Sequence, residues 1–391
     1  MTHHSFTTSE DLMAVLLKRY EVSPPLGIKD EATFQSWVES KLMPVKSQVL
    51  QVLSFWVTYQ FADFVANDKA LLVKLNEFLN VKALPDFPVK AAHIQDLLSA
   101  RLASFDHPDS PINLKLAPKP ILTKSVSKLT GPDKELQLLS VDETELARQW
   151  ALVESSLFRQ IGPKELINQI WGRTHESSKT KAPTISKMIE ITSHMTYLVV
   201  AMILRAPNEK QRHAVVKYWV RVGQACAKLN NFNALTAIFG GFTSLPIKRL
   251  DRLWKTFKSA HPKSNELLGQ LSELVSASGQ YAAYRRALKA CQPPCLPYLG
   301  VYITDLTLIE EGNQDYLPQN GSLINFEKRR KVATVIDEIL ARQQQCIYHL
   351  IAVPALQDFL TSSHERLSEV EAFKLSVAVE PLPEEDDEDD D

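Results

Sequence analysis

The adjacent carboxylates Glu310 and Glu311 are the residues whose types most directly suggest chemistry. Two carboxyl groups can act as general acid and general base when both reach the same substrate. Adjacent residues on a helix do not face each other, so these two cannot easily share one substrate atom. They precede Gly312 at the end of a candidate helix, where the helix dipole disfavours negative charge. The pair therefore indicates a solvated helix end, or a position where another group holds the charges. An acid–base enzyme is the remaining alternative.

Four possible metal ligands lie in two short groups, Cys291 with Cys295 and Cys346 with His349. Two cysteines and a cysteine–histidine pair can close a structural zinc site. Against this, two prolines separate the first pair, and the second pair belongs to a helix stripe that is otherwise apolar. Buried thiols commonly behave as small hydrophobic groups. We therefore expect no metal here, with a zinc site as the alternative.

The sequence lacks the common motifs for cofactor binding or covalent chemistry. It contains no GxxxxGK[ST] phosphate loop, no GxGxxG turn, no HExxH zinc motif and no GxSxG nucleophile. A nucleotide hydrolase or dehydrogenase of these motif classes is therefore not predicted. Four cysteines in 391 residues make no disulfide framework, which favours the reduced thiols of a cytosolic protein.

The composition is that of a helical, globular chain with an uneven charge distribution. Glycine is scarce, with 12 in 391 residues, and 22 prolines can mark loops, which favours helices over turn-rich β architecture. Eight of the 46 acidic residues form the run Glu384–Asp391, which leaves 38 acidic against 44 basic residues elsewhere. We expect this acidic tail (381–391) to be disordered. The basic residues are spread out, so nucleic-acid binding is not predicted.

Helical periodicity organises the chain into two parts separated by prolines. In residues 1–105, an apolar stripe at helical spacing predicts a long core helix of a small helical module. Its members are Val49, Val52, Leu53, Trp56 and Tyr59. Asp68 is interpreted as the N-cap of the next helix, and 106–138 as a proline-rich linker. A larger helical region then starts at Asp142, which has the spacing of a capping box with Glu145.

Three further segments bear on fold and location. The most apolar segment, Met195–Leu204, has about half the length of a membrane span, so we predict a buried core helix. Pattern alone leaves 301–311 undecided between helix and strand. The N-terminal residues Met1–Phe6 lack the basic region and the apolar run of a secretory signal.

Three stretches of the larger region resemble the catalytic domain of Ras-family guanine-nucleotide exchange factors. The first stretch comprises residues 229–235 (LNNFNAL) and 244–250 (SLPIKRL). The second is 293–302 (PPCLPYLGVY), and the third comprises 305–313 (DLTLIEEGN) and 323–330 (LINFEKRR). Residues 145–150 and 157–161 resemble that domain's opening helix, and the resemblance covers 139–380. Residues 1–105 resemble the Ras exchanger motif, the helical module that precedes this domain, without its usual first helix. We therefore expect a fragment or a chain trimmed at its N-terminus.

The resemblance implies an all-α fold with a protruding helical hairpin formed by 301–311 and 325–343. In this family the hairpin is wedged between the phosphate loop and the first switch region of a GTPase. By the same resemblance, the carboxylate of Glu311 reaches the phosphate loop and competes with phosphate and Mg²⁺. Thr307, one turn earlier, matches the position that crowds the metal site, where some members carry a bulky apolar residue. Asn313 ends the helix and belongs to the catalytic site or is only a C-cap.

The resemblance also assigns binding and supporting residues. Tyr281 and Tyr298 match positions that line a pocket for an aromatic side chain of the GTPase's second switch, with core packing as the alternative. Asn230 and Asn231 match paired asparagines that bind the GTPase, with loop capping as the alternative. The residues expected to support the hairpin are Asn325, Arg329 and Arg249. The basic run Lys328–Lys331 is otherwise interpreted as a solvated helix face.

These implications predict an exchange factor that accelerates GDP release from a Ras-superfamily GTPase, of Ras or Rap type, and so allows GTP loading. Such a factor is not an enzyme of bond chemistry and needs no cofactor or metal. A catalytically inactive member that binds GTPases as a scaffold is the alternative. We expect the protein in the cytoplasm, recruited to membranes where its GTPase is anchored, without inserting into the bilayer itself.

Overall fold

The computed structural model describes residues 2–28, 30–106, 114–115, 117–122, 138–172, 180–318, 320–362 and 367–382. The chain forms two compact units. The first unit comprises Met1–Ser110, Gly162–Gln169 and Ile309–Ile336, and the second comprises Pro111–Ile161, Ile170–Leu308 and Asp337–Asp391. The predicted domain boundaries stay predictions. Most of the predicted linker and the whole acidic run Glu384–Asp391 lie outside the described residues.

The first unit consists of helices around one apolar core. Its α-helices are Ser9–Tyr20, Glu31–Trp37, Met43–Tyr59, Ala62–Val65, Ala70–Phe78, Leu84–Asp86 and Pro88–Asp106. Shorter π or 3₁₀ turns are His3–Ser5, Val38–Leu42, Asn67–Lys69, Leu79–Ala83 and Pro163–Leu166. The fully buried side chains of the core include Met13, Leu53, Val57, Phe64, Leu75 and Leu79. Burial of this apolar face is the main stabilising term for helices of this length.

The predicted core helix is confirmed as Met43–Tyr59, but its buried face is rotated relative to the predicted apolar stripe. Three of the five predicted stripe residues are buried, whereas Val52 and Tyr59 are 45% and 46% exposed. Leu50 and Val57 take their places in the core. Both sets of positions fit the helical period of 3.6 residues, so the neighbours that pack against the helix select the face that contains Leu50 and Val57.

The predicted N-cap at Asp68 is wrong. An N-cap residue needs an extended backbone, whereas Asp68 has a φ of 54° and Lys69 a φ of 64°, both in the left-handed region. These two residues form a tight turn instead. The helix therefore begins at Ala70 without a side-chain cap.

The second unit is also helical and has a larger core. Its α-helices outside the hairpin are Glu143–Gln160, Pro183–Arg205, Glu209–Lys228, Phe232–Thr243, Leu245–Lys248, Asp251–Ala260, Pro262–Leu274, Ser278–Ala290, Pro354–Thr361 and Glu369–Val379. Two 3₁₀ turns are Leu138–Ser140 and Ile170–Gly172. The core contains the fully buried side chains of Trp150, Met195, Trp219, Leu235, Phe257 and Leu356. This one core thus combines apolar side chains from Leu138 to Ala372, far apart in the sequence.

The helix Pro183–Arg205 confirms the prediction of a buried core helix. By length and composition it is the one helix among the described residues that could cross a membrane. Most side chains between Met195 and Leu204 are nevertheless buried inside the second unit. Such burial is typical of a core helix in a folded domain.

Asp142 is the N-cap of the helix Glu143–Gln160, as predicted. Its carboxylate accepts the backbone N–H groups of Thr144 and Glu145 at 2.9 and 3.1 Å. The reciprocal half of the capping box does not form. The Glu145 carboxylate instead accepts hydrogen bonds from the Ile121 N–H at 2.9 Å and the Gln149 amide at 2.6 Å.

Two further helices, Leu299–Gly312 and Phe326–Gln345, are the hairpin helices. A two-stranded antiparallel ladder, Tyr316–Leu317 with Asn320–Ile324, lies between them in sequence. The segment that pattern leaves undecided is therefore helical, as the resemblance implies. Residues Ile309–Ile336 belong to the first unit, and the remainder of both hairpin helices belongs to the second. The all-α fold class is confirmed.

Candidate functional site

A buried carboxylate, Glu154, lies in the second unit where several of the recognised stretches meet. Its residue exposure is 0%. It accepts hydrogen bonds from Asn231 Nδ2 at 2.9 Å and from Asn233 Nδ2 at 2.7 Å. Burial raises the pKa of Glu154 to about 7, and the hydrogen bonds from the two asparagines limit that rise. The three side chains form what we call the Glu154 network.

The Glu154 network also reaches the first hairpin helix. The side chain of Asn231 caps the helix Phe232–Thr243 by accepting the backbone N–H three residues later at 3.0 Å. The Asn233 side-chain oxygen accepts the Leu299 N–H at 3.4 Å, where the hairpin helix begins. The opening helix, the asparagine stretch and the start of the hairpin therefore share one buried polar centre.

Asn230 holds the loop that leads into the hairpin. Its backbone is left-handed, with a φ of 51°, a conformation that asparagine tolerates better than most residues. Its side-chain amide donates to the carbonyls of Gln292 and Pro294 at 2.9 and 3.3 Å. Its own carbonyl accepts the Leu296 N–H at 3.0 Å. The loop-capping alternative thus describes the contacts of Asn230, whose side chain is half-buried.

Tyr281 and Tyr298 lie close together in the second unit. Their ring centroids are 6.1 Å apart and the rings are tilted by 55°. The turn Gly279–Tyr281, in which all three residues have a left-handed backbone, brings Tyr281 to this position. A side chain at Gly300 would overlap the Tyr298 ring, so only glycine allows that ring to lie against the backbone. Both rings are half-buried, and burial raises the pKa of Tyr298.

The part of the first hairpin helix that belongs to the second unit makes polar contacts on two sides. Arg285 donates to both carboxylate oxygens of Asp305 at 2.8 and 3.0 Å, a bidentate pair. The Tyr302 hydroxyl donates to Glu338 on the second hairpin helix at 2.9 Å. Thr307 lies further along the same helix and is half-buried, while Leu308 is 61% exposed.

In the first unit, Glu310 belongs to a buried ion-pair cluster. Lys328 Nζ is 2.6 Å from the Glu310 carboxylate and also donates to the Glu310 carbonyl at 3.0 Å. Lys328 and Arg329 both donate to Asp315, at 2.9 and 2.7 Å. These two donors lower the pKa of the Asp315 carboxyl, with the Lys328 hydrogen bond the largest cause. The side chains of Glu310, Lys328 and Arg329 are each less than 10% exposed.

Glu311, one residue later, has the opposite environment. Its side chain is exposed, and it makes no hydrogen bond or ion pair with the described residues. Lys328 neutralises the charge of the neighbouring Glu310. At this helix end, Glu311 is therefore the exposed carboxylate. This asymmetry decides between the interpretations of the pair: another group holds Glu310, whereas Glu311 is solvated.

Asn313 and Asn325, at the facing ends of the two hairpin helices, both cap helices. Asn313 donates its amide to the Ile309 carbonyl at 2.8 Å and accepts from Lys331 Nζ at 3.2 Å. Asn325 accepts the Lys328 N–H at 3.2 Å as the N-cap of the second hairpin helix and donates to the Gln314 carbonyl at 2.9 Å. The C-cap alternative for Asn313 and the supporting role of Asn325 both agree with these contacts.

The structure shows the contacts of three further predicted residues. Asn231 has 0% exposure, and its side chain binds Glu154 and caps the helix Phe232–Thr243, which agrees with the capping alternative. Lys328 is 3% exposed and is not part of a solvated face, because it neutralises Glu310. Among the described residues, the Arg249 guanidinium donates to the carbonyl and the hydroxyl of Ser376, both at 2.9 Å, rather than to a hairpin helix.

The contact of Arg249 is part of a C-terminal clasp in the second unit, formed by Arg249, Ser376 and Glu380. The Glu380 carboxylate accepts the backbone N–H groups of Arg252 and Leu253 at 3.1 and 2.8 Å. It thereby caps the helix Asp251–Ala260, whose own N-cap residue provides no side-chain acceptor.

Glu154, Asn233 and the buried role of Lys328 are not among the features predicted from the sequence. Glu154 lies four residues after Trp150 and next to Val153, both on the predicted buried face, and that position was the available signal. Asn233 lies two positions after Asn231 in the same recognised stretch, 229–235. For Lys328 no pattern signal existed, because its partner Glu310 is on a different helix.

The zinc alternative gains no support from the structure. Cys291 and Cys295 lie within hydrogen-bonding distance of each other, but no three of the ligand atoms of Cys291, Cys295, Cys346 and His349 form a group. Among the described residues, such a group of three lies in the first unit. Burial raises the pKa of Cys295, and it raises that of Cys346 to about 12. Both thiols are buried, as expected for cysteines that pack as small hydrophobic groups.

Comparison with known families and proteins supports the interpretation of both parts of the chain. A family model described as the RasGEF domain matches residues 145–330, and one described as the RasGEF N-terminal motif matches residues 1–78. The chain is 30% identical over 97% of its length to cell division control protein 25 of Saccharomyces cerevisiae, of which it covers 25%.

Two other similar proteins carry exchange-factor names. The chain is 30% identical over 97% of its length to Ras guanine nucleotide exchange factor A of Dictyostelium discoideum, of which it covers 61%. It is 28% identical over 92% of its length to Ras guanine nucleotide exchange factor efc25 of Schizosaccharomyces pombe, of which it covers 34%. The chain thus spans less than two thirds of each relative. With both family models matched in order, the chain belongs to the family of Ras guanine nucleotide exchange factors.

Proposed function

We propose that this protein accelerates GDP release from a Ras-family small GTPase, using the first hairpin helix as the element that enters the nucleotide site. The observation that carries the proposal is the asymmetry between Glu310 and Glu311. One carboxylate is neutralised and buried by Lys328, and the adjacent one is exposed at the end of the helix. The family membership and the relatives' names support the same activity.

The physical task of such a factor is to stabilise the nucleotide-free GTPase. A GTPase that held GDP with picomolar affinity, about −16 kcal/mol, and bound it at ~10⁷ M⁻¹s⁻¹ would release it in about a day. No covalent bond changes during exchange. Each ~1.4 kcal/mol of preferential stabilisation of the nucleotide-free state over the GDP-bound state accelerates release about tenfold.

Glu311 is proposed to supply part of that preference. Backbone N–H groups, a lysine and Mg²⁺ hold the phosphates of a bound nucleotide in GTPases of this type. An exposed carboxylate can accept hydrogen bonds from the same donors once the phosphates have left. Thr307, one turn earlier on the helix, is proposed to face the metal site, where its small side chain contributes less steric exclusion than a bulky apolar residue would.

Tyr281 and Tyr298 are proposed to receive an aromatic side chain of the GTPase's second switch. Two half-buried rings 6.1 Å apart can add a third ring at the edge-to-face or offset distances that aromatic groups prefer. Asn230 keeps the loop before Tyr298 in place. These residues would contribute binding, and Glu311 would contribute the acceleration.

The partner is proposed to be of Ras or Rap type, and the protein is proposed to act in the cytoplasm at membranes where that GTPase is anchored. We further propose that it acts as a catalyst without covalent chemistry and without a cofactor. The resemblance of the asparagine, tyrosine and glutamate positions to those of active family members supports exchange over a scaffold function.

The test is the release of a fluorescent GDP analogue from a panel of Ras, Rap and Ral GTPases. The unchanged protein is expected to accelerate release from one subfamily. Glu311→Ala should slow that accelerated release by about 10–100-fold, since a hydrogen bond to a charged group contributes about 1.5–3 kcal/mol. The matched control is Glu327→Ala, which removes an exposed carboxylate from the second hairpin helix and should leave the rate unchanged.

Two results would contradict the proposal in different ways. Binding of the nucleotide-free GTPase without any acceleration would identify a scaffold. If the Glu311→Ala variant accelerates GDP release as much as the unchanged protein, the exchange function stands, but another part of the hairpin must cause it.

A further inference from the structure

The side chains of His3, His4 and Asp63 form a compact ligand group in the first unit. Their ligand atoms all lie within 4.8 Å of one another. His4 Nε2 is 3.0 and 3.1 Å from the two Asp63 oxygens, and His3 Nε2 is 3.5 Å from Oδ2. Ligands about 2.0–2.2 Å from a common ion are separated by such distances. The group is far in sequence from every residue assigned to nucleotide exchange.

This group is held in place from several sides. His3 is 6% exposed and Asp63 is 2% exposed. The Trp56 indole N–H donates to Asp63 Oδ2 at 2.8 Å, and the hydroxyl of Ser9 is 3.3 Å from His3 Nε2. Partners of this kind orient ligating side chains in known metal sites. The two imidazole rings lie against each other with centroids 3.9 Å apart.

Lys164 is a cation at the group, and it contacts the Asp63 oxygen Oδ1, which His4 Nε2 also approaches to 3.0 Å. Its ammonium is 2.7 Å from Asp63 Oδ1, whereas Oδ2 is the oxygen nearest to His3. A carboxylate can bind an ion through one oxygen and accept a hydrogen bond at the other. The Lys164 side chain is also 49% exposed, so its charge can move into water when an ion enters.

We propose that His3, His4 and Asp63 bind one divalent transition-metal ion of the zinc type. Two imidazoles and one carboxylate favour zinc and its neighbours over Mg²⁺ or Ca²⁺, which prefer oxygen ligands. Three protein ligands leave room for water, or for the hydroxyl of Ser9, in the fourth position. His4, with a side chain 16% exposed, gives the ion an entry path.

The ion would act as a structural clamp and take no part in exchange. His3 and His4 precede the helix Ser9–Tyr20, while Asp63 is on the helix Ala62–Val65. Binding would therefore join the start of the chain to the centre of the first unit. An ion that binds only the folded state stabilises it in proportion to the logarithm of its concentration.

The experiment is a calorimetric titration of the full chain with Zn²⁺, repeated with Co²⁺ to record the absorption of the bound ion. One ion per chain is expected, with a rise in the melting temperature. His4→Gln should lower Zn²⁺ affinity by about 100-fold or more and abolish that rise. Glutamine can still donate a hydrogen bond to Asp63, so this variant separates ligation from hydrogen bonding.

Two further variants complete the test. Lys164→Ala should bind Zn²⁺ at least as tightly as the unchanged chain, because it removes a like charge near the ion. His93→Ala, at an exposed histidine on the helix Pro88–Asp106, is the matched control and should bind normally. Absence of stoichiometric Zn²⁺ binding, or equal binding by His4→Gln, would overturn the proposal and leave a hydrogen-bonded ion pair.

Discussion

The surroundings of Glu154 in the second unit and of Glu311 in the first represent two ways of using a carboxylate. Glu154 is fully buried and accepts hydrogen bonds from two asparagines. Glu311 is exposed and has no partner among the described residues. The buried group joins separate stretches of the chain, and the exposed group is available to another protein. Burial therefore separates a carboxylate that positions other residues from one that stays accessible at the surface.

The largest effect on stability is expected from Glu154→Ala. The change leaves the amides of Asn231 and Asn233 without their shared acceptor and opens a cavity. We expect the free energy of unfolding to fall by about 4 kcal/mol, as measured by chemical denaturation. Exchange activity should fall with it, because the network reaches the start of the hairpin helix at Leu299. A loss below about 1 kcal/mol would mean that the network does not hold these stretches together.

The next largest effect is expected from Lys328→Ala. The change leaves the Glu310 carboxylate buried without its closest cation, which costs about 3 kcal/mol of unfolding free energy. The matched control is Arg330→Ala, which removes a cation that is 76% exposed and pairs with Glu327. That change should stay within about 0.5 kcal/mol. Equal effects of the two substitutions would show that the Lys328 cluster is no more important than a surface pair.

A pH effect should distinguish the two regions further. The pKa of Glu154 is raised in the folded state, to about 7 from an ordinary value of 4.5. The folded protein therefore binds the proton more tightly than the unfolded chain. The contribution of this proton to the free energy of unfolding is fully present below pH 4.5. It is lost as the pH rises to about 7, and the free energy of unfolding then falls by up to about 1.4 kcal/mol per pH unit.

The measurement compares the pH dependence of unfolding free energy in the unchanged chain and in Glu154→Gln. Subtracting the two curves removes the contribution of histidines that titrate in the same range. The difference should change between pH 4.5 and 7 and be flat above pH 7. Parallel curves throughout would show that Glu154 stays charged when buried.

The smallest effect on stability is expected from Glu311→Ala. Because the side chain is solvated, the free energy of unfolding should change by less than about 0.5 kcal/mol, in a denaturation experiment like that for Lys328→Ala. The same substitution should have a large effect on exchange. A substantial loss of stability would mean that Glu311 has a structural partner and would weaken its assignment.

Most of the fold could be predicted from local pattern. Helix positions depend on apolar periodicity and on caps, and both are local in sequence, as the cap at Asp142 shows. Predictions failed where backbone geometry decided: at Asp68 a left-handed turn replaced an expected cap. The buried face of the helix Met43–Tyr59 also shifted, because the choice among apolar residues depends on which neighbours pack against them.

The candidate site could be predicted only in part. The resemblance identified Glu311, Tyr281 and Tyr298, and these stay predictions of function. It could not separate contact from support, because that depends on burial: Asn231 is buried, whereas Asn230 is half-buried. Pairings between distant residues, such as Lys328 with Glu310, leave no trace in local pattern.

The C-terminal clasp has a consequence for dissecting the protein into pieces. The family match ends at residue 330, but the core of the second unit also contains Leu356, Phe359 and Ala372. A recombinant piece cut at residue 330 would expose their apolar binding partners to water and should aggregate. A piece that ends before Glu380 would in addition leave the helix Asp251–Ala260 uncapped. The smallest soluble piece with exchange activity is therefore expected to extend through Glu380.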